Sequence, residues 1–176
     1  VRQINELLQA VRFDKPDGNC LSPAGEYNLR LGITKELRPN MVATHAEPAD
    51  VFEGHAFIVE AGVALGGEGL KPGVNVYRFA NRIPLLFEAG NDVVTKTAKE
   101  SIRWGSYKIS PVSDRIGVIC SLVSTKVPFK GTGKEYIGDD AESIKAAVKR
   151  AITQCCIQLK AKLVRKAALK DAAERK

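Results

Sequence analysis

The sequence predicts an α+β fold with a small helical segment first, a sheet in the middle and one long helix at the C-terminal end. Apolar residues at the start of the chain recur at helical spacing, and residues 56–65, 74–80 and 116–123 have strand composition. From Asp140 onward a single apolar stripe repeats every three to four residues for five turns.

Taken in order, Ile4, Leu7, Leu8 and Val11 share one face of a first helix, which Pro16, Asp17 and Gly18 bring to a stop. Ser22 can cap a second helix with Pro23 in its first turn, running to about Leu31, and a short third helix from Thr34 ends before Pro39. Residues 1–40 are therefore a small helical unit, and from Met41 the texture changes. Ala56–Leu65 and Val74–Ala80, joined by Gly66-Gly67-Glu68-Gly69, read as a β-hairpin. Ile83–Phe87 extends the second strand or starts another. Asp92–Arg103 reads as a helix with Val93, Val94, Ala98 and Ile102 on one face. Ile116–Val123 is almost wholly apolar, as a central strand covered on both faces would be. Asp139 followed three residues later by Glu142 has the form of a capping box for the last helix. Its stripe is Ile144, Val148, Ile152, Cys155, Leu159 and Leu163, and it fades after Val164. A helix from Asp140 to the end is about 50 Å long at 1.5 Å per residue. Its outer part, residues 165–176, leaves the domain.

A length of 176 residues suits one domain with an appendage. The opening Val1-Arg2-Gln3-Ile4 has neither an initiator Met nor a signal-peptide pattern, so the sequence reads as a fragment of a longer chain. The apolar runs fall far short of the ~20 residues that cross a bilayer, so a soluble protein is expected. Cys20, Cys120, Cys155 and Cys156 form no Cys-x-x-Cys pair, and His45 and His55 lie far from them, which argues against zinc and against a disulfide framework. Reduced, buried thiols in a reducing compartment are the expectation. The net charge of +7 is concentrated at one end. Residues 145–176 hold ten Lys/Arg against two Asp/Glu, and the first 144 hold 17 against 18. That asymmetry fits either an acidic partner near the tail or a solvated helix face.

Between the apolar strand and the last helix lies Ser124-Thr-Lys-Val-Pro-Phe-Lys-Gly-Thr-Gly-Lys-Glu135, with three lysines and two glycines in twelve residues. A flexible loop with cationic donors at the end of a buried strand can meet a phosphate, and the same composition also suits a plain solvated turn. The spacing is not that of a Walker loop, because one residue separates Gly131 from Gly133 and Glu135 follows Lys134.

Three segments, Phe79-Ala-Asn-Arg-Ile-Pro-Leu-Leu-Phe87, Ile102-Arg-Trp-Gly-Ser-Tyr107 and the 124–135 loop, resemble in order and spacing the B subunit of the type IIB DNA topoisomerases, topoisomerase VI. The similarity runs from about Cys20 to Arg165, and Gln154-Cys-Cys-Ile-Gln-Leu-Lys160 is similar to the plant versions. The resemblance implies that residues 1–40 end a helix-two-turns-helix insert. It implies further that residues 41–164 are a transducer domain with a four-stranded βαβ-type sheet and helices on one face, and that residues 165–176 are the distal part of a stalk helix. An ATP-binding domain of the gyrase, mismatch-repair and chaperone superfamily precedes these parts in that family.

In that family one transducer lysine reaches the γ-phosphate of ATP, and the matching position is Lys126, assigned a catalytic and nucleotide-sensing role. ATP and Mg2+ are then the cofactors of the full subunit, with none expected on this fragment, which alone should be inactive. The implied partners are the DNA-cleaving A subunit, double-stranded DNA and a second copy of the B subunit, with no membrane. The implied compartment is the nucleus for a plant-like source and the cytoplasm for an archaeal one. A Trp-Lys-x-Tyr segment that meets DNA in the family corresponds to Trp104-Gly105-Ser106-Tyr107, where Gly105 replaces the lysine and Lys108 or Arg103 could substitute. Packing between sheet and helix is the alternative role of Trp104 and Tyr107. Lys130 and Lys134 either support the loop or face solvent, and Asn81, Arg82, Pro84 and His55 read as structural. The competing functions are a non-catalytic nucleic-acid-binding or scaffold homologue in a double-strand-break complex, and an oligomerisation domain dimerising through the long helix.

Overall fold

The computed structural model describes residues 2–12 and 14–174. Helix α1 spans Arg2–Ala10 and buries none of its residues, so Ile4, Leu7 and Leu8 stay exposed, as does Val11 just beyond it. Helix α2 spans Glu26–Leu37, starting three residues later than the Ser22–Pro23 pattern suggests and absorbing the expected third helix. Its entry is satisfied from a distance. The carboxylate of Glu60, fully buried in the sheet, accepts the Ala24 and Gly25 N–H groups at 2.9 and 2.6 Å. A buried carboxylate needs donors and a helix entry needs acceptors, so each answers the other's need. The helix ends at Arg38 in the left-handed conformation, just before Pro39.

Six strands form the main sheet: β1 (Met41–Ala46), β2 (Asp50–Phe52), β3 (His55–Leu65), β4 (Gly73–Ala80), β5 (Ile83–Pro84) and β6 (Arg115–Ser124). Their order is β1-β3-β6-β4-β5, with β2 added to β3. The four long strands are β1, β3, β6 and β4, and the short β2 and β5 extend that frame. The strand at 41–46 is one that the sequence pattern does not announce.

The expected β3–β4 hairpin is not formed, because β6 lies between the two strands. It pairs antiparallel with β3 from Leu65↔Ile116 to Phe57↔Ser124, and parallel with β4 from Gly73↔Arg115 to Ala80↔Leu122. The glycines of the connection serve close approach to the end of α2: a Cβ on Gly69 would stand 2.7 Å from the Leu37 carbonyl oxygen, and Gly67 faces Arg38 and Pro39 backbone. The β4→β6 crossover carries helix α3 (Val93–Lys96), a wider helical turn at Thr97–Ser101 and a tight turn at Trp104–Tyr107, which makes a βαβ unit.

Helix α4 spans Glu142–Glu174. The capping-box pattern does not set its start. The first helical bond runs from Lys145 N–H to the Ala141 carbonyl, while Asp139 pairs with Lys96 at 3.2 Å and Asp140 with Lys130 at 2.7 Å. α4 lays Ile144, Val148, Ile152, Cys155 and Leu159 against one sheet face, where β3 offers Phe57, Val59, Ala61 and Val63 and β6 offers Ile116, Val118, Cys120 and Leu122. Residues two apart on a strand share a face, which is why these alternate positions meet the same helix. The helices α3 and α4 of the sheet unit are thus on one face. On the other, Ile33 and Leu37 of α2 pack with Ala64, Leu70 and Ile119, so β6 is covered on both sides. Full burial on α4 ends at Leu159, Leu163 is half-buried against the same core, and the helix continues exposed from Val164. No helix among the described residues is long and apolar enough to cross a membrane.

Candidate functional site

The segment 124–137 begins where β6 leaves the sheet. Ser124 is still paired with Phe57 of β3, and the Thr125 N–H donates to the Ala56 carbonyl at 3.3 Å. The Ser124 hydroxyl accepts the Lys126 N–H at 3.2 Å, and its single proton faces the Ala56 and Lys126 carbonyls at 3.0 and 3.1 Å. From the other side comes Asn81, whose Oδ1 accepts the Ser124 N–H at 2.9 Å while Nδ2 donates to the Ser124 carbonyl at 3.1 Å. His55 places Nδ1 at 3.2 Å from the Thr125 hydroxyl. Four hydrogen-bonding groups from two strands and a turn therefore fix the backbone that leads into Lys126. Its side chain is exposed, and among the described residues its ammonium has no carboxylate within ion-pair distance.

The other two lysines of the loop differ from it. Phe129–Lys130 (β7) pairs with Tyr136–Ile137 (β8) as a small hairpin, which Asp92 anchors by accepting the Ile137 N–H at 3.0 Å. Lys130 is bonded to Asp140 at 2.7 Å; that contact pushes the Lys130 pKa up and the Asp140 pKa down. Lys134 is exposed at the hairpin tip with a left-handed backbone, φ 56°.

The Trp104–Tyr107 turn exposes Gly105 and Ser106 and turns its tryptophan inward. Trp104 is only 3 % exposed and its indole N–H donates to the Ala98 carbonyl at 2.8 Å. Its ring packs in the core, the alternative role read for it, and the exposed part of the turn lies at Gly105 and Ser106. Tyr107 is half-buried against the same core. Lys108, with φ 61°, and Arg103 are exposed beside them and carry what cationic surface this turn offers.

Several groups at or near the loop carry no signal in the sequence. Arg78 and Asp92 form a core ion pair at 3.3 Å, with side chains 3 % and 0 % exposed. Arg78 also donates to the Leu85 and Phe87 carbonyls, each at 2.8 Å, and Asp92 caps α3 through the Val94 N–H at 2.9 Å. The Arg78 Nη1 nitrogen, which makes the ion pair, lacks the alignment of a hydrogen bond. Arg82, read as a structural residue, reaches the Ser22 hydroxyl and the Ser22 carbonyl at 2.8 Å, tying the β4–β5 turn to the segment before α2. The partners of Arg82, like those of Asn81 and His55, are tens of residues away in sequence, and no local pattern signals them. Cys120, Cys155 and Cys156 are buried free thiols and Cys20 is an exposed one. Burial pushes Cys155 and Cys156 each up to about 12. Among the described residues no group of three or more His, Cys, Asp or Glu side chains is arranged to hold a metal ion.

The family model described as "Topoisomerase VI B subunit, transducer" matches residues 16–175. The B subunit of DNA topoisomerase 6 from Arabidopsis thaliana is 64 % identical over 174 residues, 99 % of this chain and 26 % of its own length. Its counterpart of the same name from Oryza sativa subsp. indica is 60 % identical over 174 residues, covering 99 % and 25 %. The B subunit of a type 2 DNA topoisomerase 6 from Sulfurisphaera tokodaii is 32 % identical over 179 residues, covering 98 % and 33 %. The chain thus spans about a quarter of the length of the plant relatives and a third of the Sulfurisphaera one. With a match that takes in the sheet, the Lys126 loop and α4, the chain belongs to the transducer family of the topoisomerase VI B subunit.

Proposed function

We propose that this chain is the force-relaying part of the ATP-binding subunit of a type IIB DNA topoisomerase, and that Lys126 is its contact with the γ-phosphate. The observation that supports the reading is the contrast within one loop: the strand end that leads into Lys126 is held on both sides, at Ser124 by Asn81 and at Thr125 by Ala56, while the Lys126 side chain is left exposed. A lysine ammonium is a compact charge on a flexible stem, suited to a phosphate oxygen whose negative charge grows during transfer. ATP supplies that phosphate from the part of the subunit outside this chain, where Mg2+ also belongs. With the phosphate gone, Lys126 loses its partner and the sheet, with α4 packed on it, is released to move as a body. α4 then carries the motion toward the DNA-cleaving A subunit, in an assembly that includes duplex DNA and a second copy of the B subunit. On this reading residues 1–40 end the helix-two-turns-helix part, 41–164 are the transducer and 165–176 belong to the stalk. The enzyme would work in the nucleus of a plant-like cell or in the archaeal cytoplasm.

The test is Lys126→Ala in the complete heterotetramer. ATP turnover and strand passage should fall by roughly 100-fold, as when a charge-stabilising donor is removed from a reacting centre, while thermal unfolding stays unchanged. Wild-type turnover in that variant would overturn the assignment.

A second reading, a nucleic-acid-binding scaffold without ATP coupling, is favoured by the exposed basic end of α4. It predicts duplex binding by this chain alone that weakens steeply with salt.

A further inference from the structure

We propose that Asn81 is the positioning residue for Lys126; this rests on the nucleotide-sensing reading of Lys126. The parallel ladder between β4 and β6 ends at Ala80↔Leu122, with one more bond from the Asn81 N–H to the Leu122 carbonyl at 2.8 Å. At that point Asn81 and Arg82 take left-handed backbone, φ 47° and 69°, and the chain turns back into β5. β4 therefore has no backbone left to offer Ser124, two residues further along β6. The Asn81 side chain fills the gap, because a carboxamide presents one acceptor and one donor side by side, the same pair that a neighbouring strand would present. It binds the Ser124 N–H at 2.9 Å and the Ser124 carbonyl at 3.1 Å, so the ladder is prolonged by a side chain to the last residue before the Thr125–Lys126 step. β3 holds the opposite edge through Ala56 and Phe57, and His55 holds the Thr125 hydroxyl at 3.2 Å.

Two demands meet at position 81, and asparagine answers both. The turn needs a residue that tolerates positive φ, and the Ser124 peptide needs a two-pronged partner. Glycine would satisfy the first demand alone. Asn81→Gly is therefore a clean deletion of the positioning contact, with the turn left unstrained. Since a lysine misplaced by a fraction of its reach can no longer meet a reacting phosphate squarely, the loss should appear in the chemical step.

The experiment is a double-mutant cycle on the complete heterotetramer, read as single-turnover ATP hydrolysis with enzyme in excess so that slow variants give rates. Asn81→Gly should lower the rate about tenfold in the Lys126 background and leave it unchanged in the Lys126→Ala background, because an oriented lysine is all that Asn81 contributes to the step. Asn81→Asp keeps the tolerance for positive φ but sets a carboxylate oxygen against the Ser124 carbonyl, so it should give the same pattern should the glycine variant fail to assemble. Hydrogen exchange at the Ser124 and Lys126 amides should quicken in the complete heterotetramer carrying Asn81→Gly. A loss that multiplies with that of Lys126→Ala would make Asn81 merely structural and overturn the inference, as would no loss at all. A wild-type rate in Lys126→Ala itself would instead bring down the nucleotide-sensing reading, and the inference with it.

Discussion

At the scale of single residues, Arg78 and Asp92 couple three parts of the molecule around the site. The guanidinium holds the backbone at Leu85 and Phe87, and the carboxylate holds the start of α3 and the β7–β8 hairpin. Removing one partner leaves the other charge buried and uncompensated. Asp92→Ala should therefore destabilise the fold by about 3–5 kcal/mol in urea unfolding, and an effect below ~1 kcal/mol would mean that water reaches Arg78. The thiols give a second prediction. Burial raises Cys155 and Cys156 from 9.0 to about 12, so the folded chain keeps their protons where the unfolded chain releases them. Unfolding is then favoured as the pH climbs from 9 toward 12, and the urea midpoint should fall across that window. A Cys155→Ala/Cys156→Ala variant should fall less steeply. A thiol reagent at neutral pH should label Cys20 alone in the native protein, as the exposed one of the four.

At the scale of elements, α4 divides into a buried half and an exposed half. Leu159 is 0 % exposed and Leu169 is 67 % exposed. Leu159→Ala should cost about 2–5 kcal/mol of folding stability, whereas Leu169→Ala should stay within about 0.5 kcal/mol. Equal costs would mean that the distal half is packed. This division was legible in the sequence, because the stripe from Ile144 to Leu163 and its fading after Val164 are matters of local spacing. So was β6, whose unbroken apolar run announces cover on both faces. The neighbours of β6 were not legible. Gly66–Gly69 has the composition of a hairpin turn, yet its glycines are there to pass close to Leu37 and Arg38, and β3 and β4 are separated by a strand that comes 35 residues after β4 ends. The start of α2 is hidden from the local sequence for the same reason: its acceptor is Glu60, 35 residues away, rather than Ser22 beside it. Asn81 and His55 were legible only as structural residues, since their bonds to Ser124 and Thr125 span 43 and 70 residues.

At the scale of the whole molecule, the Lys126 loop, the sheet and α4 form one packed unit: the loop leaves the end of β6, and the faces of β3 and β6 carry the buried half of α4. Proteins packed in this way shift as bodies and not by gradual bending, which suits the proposed relay from a phosphate to a distant part of the assembly. The basic distal half of α4 belongs to this scale too. If it lies along duplex DNA in the assembly, replacing Lys166 and Lys170 by Gln should flatten the salt dependence of DNA binding by roughly 0.9 in log–log slope for each phosphate that is no longer neutralised. The same change should leave single-turnover hydrolysis intact, since neither residue is near the loop in the packed unit. The most direct test of the central claim is amine-reactive labelling of the complete heterotetramer, read at each lysine by mass spectrometry. With a non-hydrolysable ATP analogue Lys126 should be protected, and with ADP it should label as readily as the exposed Lys134; equal labelling of Lys126 in the two states would contradict the account.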